Sequence, residues 1–288
     1  MGESRADIGI VGGTGLYDMA ALEHVRDVAV DTPFGTPSAP IRLGTLAGAR
    51  VAFLARHGRR HEHSPTSVPY RANVYALRSL GVRQVFAVSA VGSLREDLPP
   101  RSVVVLDQLI DRTRRRDLTF FDAGVVAHVG FADPFCDGLR AAWIAGARSA
   151  GLHVAERGTY LAMEGPQFST RAESRLHQQW GCDVVGMTNA TEARLAREAE
   201  MCYATLAFVT DYDAWRPEAP GVEADDIFRI IHEMAEASLR AVAAAIACAP
   251  AGDCRCRHAL RHGLVTAADA IPAAAKARLY ALLEPYLA

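Results

Sequence analysis

Apolar, β-rich runs alternate with helical patterns along this chain, which predicts one α/β domain: a central mixed β-sheet flanked by helices. Three observations carry that expectation. Short apolar runs at Ile8–Val11, Gln84–Ser89 and Tyr203–Val209 have strand length, while residues 68–80, 136–150 and 224–247 carry helical patterns. The run Tyr203–Val209 (YATLAFV) is apolar almost throughout, as a buried parallel strand is. The 288 residues are 50% hydrophobic and 22% charged, enough for a sizeable core in one large unit. Residues 1–288 are therefore expected to form a single domain, with a helical tail from about residue 250 to 288.

Taken in order, Ile8–Val11 is a strand that runs into Gly12-Gly13-Thr14-Gly15. Asp31–Pro40 is a loop rich in Pro, Gly and Ser. Ile41–Leu54 alternates around Gly48 and predicts a hairpin. Val68–Leu80 carries Tyr70, Val74 and Leu77 at helical spacing and stops near Gly81. Gln84–Ser89 is the next strand, and Ser102–Leu109 another. Arg112–Asp122 is polar and basic and reads as a surface excursion, Phe120 and Phe121 included. A helix follows at Cys136–Ala150. Ile227, Ile230, Ile231, Met234, Leu239, Val242 and Ile246 give Ala224–Ala247 a long helical period, broken by Pro250 and Gly252. A last helix spans Ala273–Leu287. There is no internal repeat, heptad or low-complexity segment.

The formal net charge is −2, which gives no bulk attraction to nucleic acid or membranes. Met1–Arg5 shows no apolar signal region, and the Ala-rich run near Ala237–Ala249 is short and broken by Arg240. The expectation is a cytoplasmic protein. Of six cysteines, Cys136, Cys182, Cys202 and Cys248 are scattered and read as small buried hydrophobes. Cys254 and Cys256 form a Cys-x-Cys pair, either redox-active or plain thiols. Without a second pair beside it, no metal site is expected.

The chain is organised around Thr159–Trp215. Its closing strand breaks into Thr210-Asp211-Tyr212-Asp213, and ligands of open α/β sheets bind beyond the carboxyl ends of strands. Spacing i, i+2 would put Asp211 and Asp213 on one side of an extended chain. Other strand ends offer Thr14 in its glycine run, Arg56 and His57, Ser89 and Ala90, and Thr188 before a helix. Hydroxyls, cations and loop amides are the donor set for a phosphate dianion. Gly12–Gly15 lacks the third glycine of a dinucleotide fingerprint and the lysine of a P-loop, so a phosphate cradle and a plain glycine turn both fit. His57, His61 and His63 have a spacing that invites a metal, but three arginines in the same loop would repel one.

The motifs GGTGLYD, TPFGTPSAP, ARHGRRH followed by PTSVPYRAN, SAVGSLRED, QLIDRT, EGPQFSTRAES, VGMTNATEA and TDYDAW occur in order from Ile8 to Trp215. In this the chain closely resembles the 5′-methylthioadenosine phosphorylases, in the trimeric branch of the purine nucleoside phosphorylase superfamily. The Cys-x-Cys tail looks like the tails of some archaeal and bacterial members. The resemblance implies a purine nucleoside phosphorylase-like fold and a homotrimer. It implies phosphorolysis of methylthioadenosine to adenine and 5-methylthioribose 1-phosphate, with phosphate as co-substrate and no cofactor. It assigns phosphate binding to Thr14, Arg56, His57, Ser89, Ala90 and Thr188. Phe168 would stack on the purine, Ser169 would address its edge and Met187 would pack under the ribose. Asp211 would hold N7 as the catalytic acid, and Asp213 the 6-amino group. Val222, Ile227 and Phe228 would line the 5′ pocket, with His128 from a neighbouring subunit.

These residue types suit the chemistry. An aspartate with a raised pKa can protonate a leaving purine, and a carboxylate accepts from an amino group where a 6-oxopurine would need a donor. Phe228 is bulkier than the aliphatic residue the resemblance implies, so 5′-deoxyadenosine or adenosine also fits. Ser89 stands for a threonine, and Thr191 where a proline is usual. The alternatives are a 6-oxopurine nucleoside phosphorylase or a broad 6-aminopurine phosphorylase. Glu164 would orient Phe168 or reach the ribose through water, while Arg171 and Glu173 read as an ion pair or a helix-start contact.

Overall fold

The computed structural model describes residues 5–13, 21–216 and 222–287. Among them eleven strands form one mixed sheet: β1 (Ile8–Gly12), β2 (Glu23–Val28), β3 (Ile41–Leu46), β4 (Ala49–Ala55), β5 (Gln84–Ser93), β6 (Val103–Val105), β7 (Gln108–Asp111), β8 (Val154–Ala155), β9 (Thr159–Ala162), β10 (Val184–Gly186) and β11 (Cys202–Asp211). The order is β2-β3-β4-β1-β5-β10-β9-β7, with β11, β6 and β8 branching from β5. The helices are α1 (Tyr70–Ser79), α2 (Asp137–Ser149), α3 (Arg171–Gln179), α4 (Asn189–Glu198), α5 (Ala224–Ala247), α6 (Ala273–Arg278) and α7 (Tyr280–Leu283).

Apolar stripes decide which helix covers which face. On one face, Leu77 of α1, Leu195 of α4 and Leu260, Leu279 and Leu283 of the tail pack together with Phe120. On the other, Trp143 of α2 and Ile230 and Val242 of α5 pack against Phe86 of β5. Trp143 is fully buried and donates Nε1–H to Ala204 O at 3.2 Å. Burying each such large side chain stabilises the fold by about 1.5–3 kcal/mol. The β3–β4 hairpin turns on Ala47 and Gly48, both at positive φ, as a two-residue type I′ turn requires. No helix among the described residues is long and apolar enough to cross a membrane.

Strand β5 is the axis that positions the site. On one edge it pairs in parallel with β11 from Gln84 to Gly92. On the other edge it pairs in parallel with β1 over Gln84–Ala87 and then antiparallel with β10 at Gly92 and Ser93. The edge between Ala87 and Gly92 is left without a strand partner, and that gap is the switch point of the sheet. Counting on from Val185↔Gly92, the antiparallel course of β10 carries Thr188 back toward Ser89.

Several expectations are corrected. Ser102–Leu109 is two strands, because Asp107 turns aside to bond Gly158 N–H (3.0 Å); β6 joins β11 and β8, while β7 joins β9. Arg112–Asp122 is a surface strap, exposed at Arg112, Arg114, Arg115 and Asp117, whose aromatic end turns into the core. Phe120 and Phe121 are buried, and Glu198 accepts from Phe120 N–H and Thr119 Oγ1–H, both at 2.7 Å. The final helix is broken at Leu279, and Pro285 allows only a 3-10 turn after α7. Of the four cysteines read as isolated, Cys182 is buried and Cys248 is exposed. Cys136 and Cys202 meet Cys254 and Cys256, with all four sulfurs within 4.8 Å of one another.

Candidate active site

The gap in β5 opens a cavity of about 600 Å³ where the carboxyl ends of β1, β4, β5, β10 and β11 converge. That size suits a nucleoside-scale ligand. Arg56, His57, Ser89, Ala90 and Thr188 line one end; Phe168, Met187, Asp211 and Asp213 line another; Val222, Ile227 and Phe228 form an apolar wall. One expected residue is not brought in. Ser169 does not line the cavity, and its hydroxyl points to Met163 Sδ at 3.6 Å. His128 is exposed beyond the strap, held by its backbone N–H to Gly263 O at 2.7 Å, and lies outside the cavity of its own chain. Thr14 falls outside the described residues.

The cationic end rests on an ion pair that sequence reasoning missed. Arg56 follows β4 and is 2% exposed. Its Nε and Nη2 fork onto the carboxylate of Glu192, in the first turn of α4, and Nη1 donates to Val88 O in the gap at 2.9 Å. Burial alone would lower the Arg56 pKa, but the Glu192 carboxylate outweighs it and holds the guanidinium firmly charged. Three of the five guanidinium N–H groups are thus engaged, which leaves two for a ligand. Glu192 also accepts from Tyr203 O–H at 2.8 Å, so both charges are satisfied without water. Ser89 Oγ donates to Asn189 Oδ1 at 2.7 Å, and Thr188 caps α4 with no side-chain cap bond. The N–H groups of Thr188 and Asn189 donate to the Tyr160 hydroxyl at 2.9 and 3.4 Å, so α4 favours an anion there through its dipole rather than through those amides.

His57 departs from the expected cation. Burial, and then the charge of Arg56, lowers its pKa to about 4, so it is neutral at pH 7. Its Nδ1 lies 2.9 Å from His63 O. The proton therefore sits on Nδ1, and Nε2 is an acceptor. His57 thus suits the protonated oxygen of a hydrogen phosphate rather than an unprotonated one. His61 stacks on His57 at 4.6 Å, and Phe228 meets His61 edge-on at 6.2 Å, so the apolar wall supports the imidazole. Among the described residues these histidines form no metal-ligand group.

The acidic end is shaped by a bulge. The β11–β5 register shifts between Val209 and Asp211, which leaves Thr210 as the extra residue. Asp211 ends the strand; Asp213 lies beyond it in a turn at φ +49°. The two carboxylates are not brought together by strand alternation. An Asx-type turn does it, with Asp213 N–H donating to Asp211 Oδ1 at 2.7 Å. Burial raises the Asp211 pKa to about 6, against the hydrogen bonds from Thr210 and Asp213 N–H and with the help of the Asp213 charge. Asp213 Oδ2 is buried and has no hydrogen-bond partner among the described residues. It is an acceptor awaiting a donor. A Cβ on Gly92 would lie 2.8 Å from Asp211 Oδ1 and 3.1 Å from Asp213 Cβ. Gly92→Ala is therefore expected to displace the pair and cut kcat at least about tenfold with thermal stability changed by no more than about 1–3 kcal/mol. Steady-state kinetics and a melting curve on the same preparation check both.

Glu164 reaches neither Phe168 nor the cavity. It accepts from Thr66 Oγ1 (2.6 Å), from the N–H groups of Arg114 and Arg115, and from Arg116, whose side chain is buried. It thereby latches the strap beneath Met187. Glu173 forms a capping box with Thr170, and Arg171 donates to Arg216 O at 2.6 Å, so these two are helix-start and loop contacts.

The sequence model of the phosphorylase superfamily matches residues 7–247. The chain belongs to that superfamily. Among curated relatives, it is 49% identical over 283 residues to the S-methyl-5′-thioadenosine phosphorylase of Koribacter versatilis, covering 98% of this chain and 97% of that one. It is 48% identical over 294 residues to the enzyme of that name from Gloeobacter violaceus, covering 99% and 98%. Among solved structures, a methylthioadenosine phosphorylase from an antarctic soil metagenomic library superposes with a TM-score of 0.92 at 46% identity, covering 98% of this chain and all of that one. The methylthioadenosine phosphorylase of Schistosoma mansoni in complex with adenine superposes with a TM-score of 0.81 at 36% identity, covering 84% and 91%. The single mixed sheet flanked by helices is thus the nucleoside phosphorylase fold, and the protein is a pentosyltransferase.

Proposed function

We propose that the protein cleaves S-methyl-5′-thioadenosine with phosphate, giving adenine and 5-methylthioribose 1-phosphate. One observation carries the reading beyond the family: the cavity that holds Arg56, Ser89 and Thr188 also holds a protonatable Asp211 beside an unpartnered Asp213 Oδ2. Hydrogen phosphate binds between the two free N–H groups of Arg56 and the hydroxyls of Thr188 and Ser89, the latter turning its proton from Asn189 Oδ1 to the phosphate, and gives its O–H to His57 Nε2. As the C1′–N9 bond breaks, Asp211 protonates N7 and neutralises the leaving purine. A phosphate oxygen bonds to C1′, and its negative charge stabilises the cationic sugar in the transition state. One proton leaves phosphate and one is gained by adenine, so the reaction needs no cofactor, metal or covalent intermediate.

Asp213 Oδ2 accepts from the 6-amino group, and a 6-oxopurine would set oxygen against oxygen there. Phe168, 39% exposed at the cavity mouth, closes over the base on binding. Val222, Ile227 and Phe228, backed by Ile231 and Met234, take the methylthio group. His128, turned away from its own cavity, reaches the 5′ pocket of a neighbour in a homotrimer. Six cysteines held as free thiols suit a cytoplasmic setting.

The test compares methylthioadenosine with methylthioinosine, each with and without phosphate, followed by absorbance. Adenine release should dominate in the wild type. Asp213→Asn should lower kcat/KM for methylthioadenosine by about 10–100-fold and narrow the gap to methylthioinosine. A wild-type preference for methylthioinosine would overturn the reading of Asp213.

A further inference from the structure

Four cysteines from three separate parts of the chain meet at the far end of β11 from the active site. Cys136 caps the N-terminus of α2, and Cys202 opens β11. The backbone bond from Cys136 N–H to Tyr203 O at 2.8 Å sets these two side by side. Cys254 and Cys256 come from the tail, where Cys254 caps a 3-10 turn spanning Arg255–His258. All four are free thiols, their sulfurs lie within 4.8 Å of one another, and Cys136 Sγ and Cys254 Sγ are 3.8 Å apart. A tetrahedron of thiolates with Zn–S bonds of ~2.3 Å has edges of ~3.8 Å. Cys136, Cys202 and Cys256 are buried and Cys254 is half-buried, and four thiolates fill a tetrahedral shell with no position left open.

We propose that these four thiolates bind one structural zinc ion, which staples the C-terminal tail to the sheet. The ligand set is soft and closed, as zinc prefers in structural sites. Binding releases the thiol protons and leaves a centre of net charge −2. The N-terminal amides of α2 face that charge. Arg255 is fixed beside the centre by Asp133 (3.3 Å) and Asp137 (3.2 Å), and Arg197 is within electrostatic reach of Cys256. The tail between the cysteines and the C-terminus contributes Leu260, Leu279 and Leu283 to the core. Zinc therefore holds the tail against that core. The length of β11 separates the site from Asp211 by ~30 Å, so its role is stability rather than chemistry.

The experiment uses the untagged full-length protein, purified under reducing conditions without chelators. Elemental analysis should find close to one zinc per chain. After removal by chelator, the reduced protein should take up one zinc again, and cobalt(II) in its place should give the visible bands of tetrahedral thiolate coordination. The double variant C254S/C256S should lose the metal and melt about 5–15 °C lower, with kcat at 25 °C within about twofold of wild type. If that variant does not fold, the reduced wild type still decides. A wild-type chain that carries no zinc and takes none up from micromolar zinc overturns the proposal. So does a native mass short of the all-thiol chain by the hydrogens of two disulfides, with no zinc uptake after reduction.

Discussion

Replacing Asp211 with asparagine lowers kcat for methylthioadenosine by about 10²- to 10⁴-fold, the usual worth of a general acid, and raises stability at pH 7.5. Both effects have one cause. The carboxyl is held mostly out of water, so its pKa rises from 3.8 to about 6. Below about pH 4 the group is protonated in both folded and unfolded chains and makes no difference. Between about 4 and 6 the folded chain holds a proton that the unfolded chain has lost, so stability falls as pH rises. Above about 6 the deficit is constant, at up to about 3 kcal/mol for a shift of about two units. Asparagine removes the deficit because it never ionises. It also fits: its Oδ1 can still accept from Asp213 N–H, while its amide donates to Thr210 Oγ1, whose own proton turns to Val91 O. Urea unfolding of the two proteins at pH 5 and pH 7.5 checks this, and the advantage of D211N should be larger at pH 7.5. A variant that is both inactive and less stable at pH 7.5 would show that Asp211 supports the fold instead.

Glu192→Ala acts in the opposite sense. It leaves the Arg56 guanidinium, 2% exposed, with no counter-charge. Breaking a buried ion pair from one side destabilises by about 3–5 kcal/mol. Chemical denaturation at a fixed protein concentration reads that loss. Phosphate affinity should fall as well, because the freed guanidinium no longer holds its two spare N–H groups toward the cavity. The double variant R56M/E192L separates the two roles. It should recover most of the stability, since an apolar pair of similar volume replaces the buried charges, and it should recover none of the phosphate binding. A stable Glu192→Ala protein with unchanged phosphate affinity would show that Arg56 does not depend on Glu192.

The sheet was legible because burial on both faces writes its strands as apolar runs. YATLAFV became β11, and the helical period of Ala224–Ala247 became α5 residue for residue. What sequence could not show was set at long range. Glu192 reads as an ordinary acid in a first helical turn, and its partner Arg56 is 136 residues away. His57 reads as cationic among arginines until burial makes it neutral. Asp211 and Asp213 meet through a bulge at Thr210 and a turn at Asp213, neither of which registers in the i, i+2 spacing or the hydrophobic pattern. Arg114-Arg115-Arg116 reads as solvated charge, yet Arg116 is drawn inward by Glu164. The cysteines meet only because α2, β11 and the tail do.

The central claim is that phosphate, not water, takes the sugar. The most direct measurement follows adenine release and phosphate consumption together, with purified protein and methylthioadenosine. The expected result is one phosphate consumed for each adenine released, with no adenine when phosphate is omitted. Adenine released at an undiminished rate without phosphate would contradict the account.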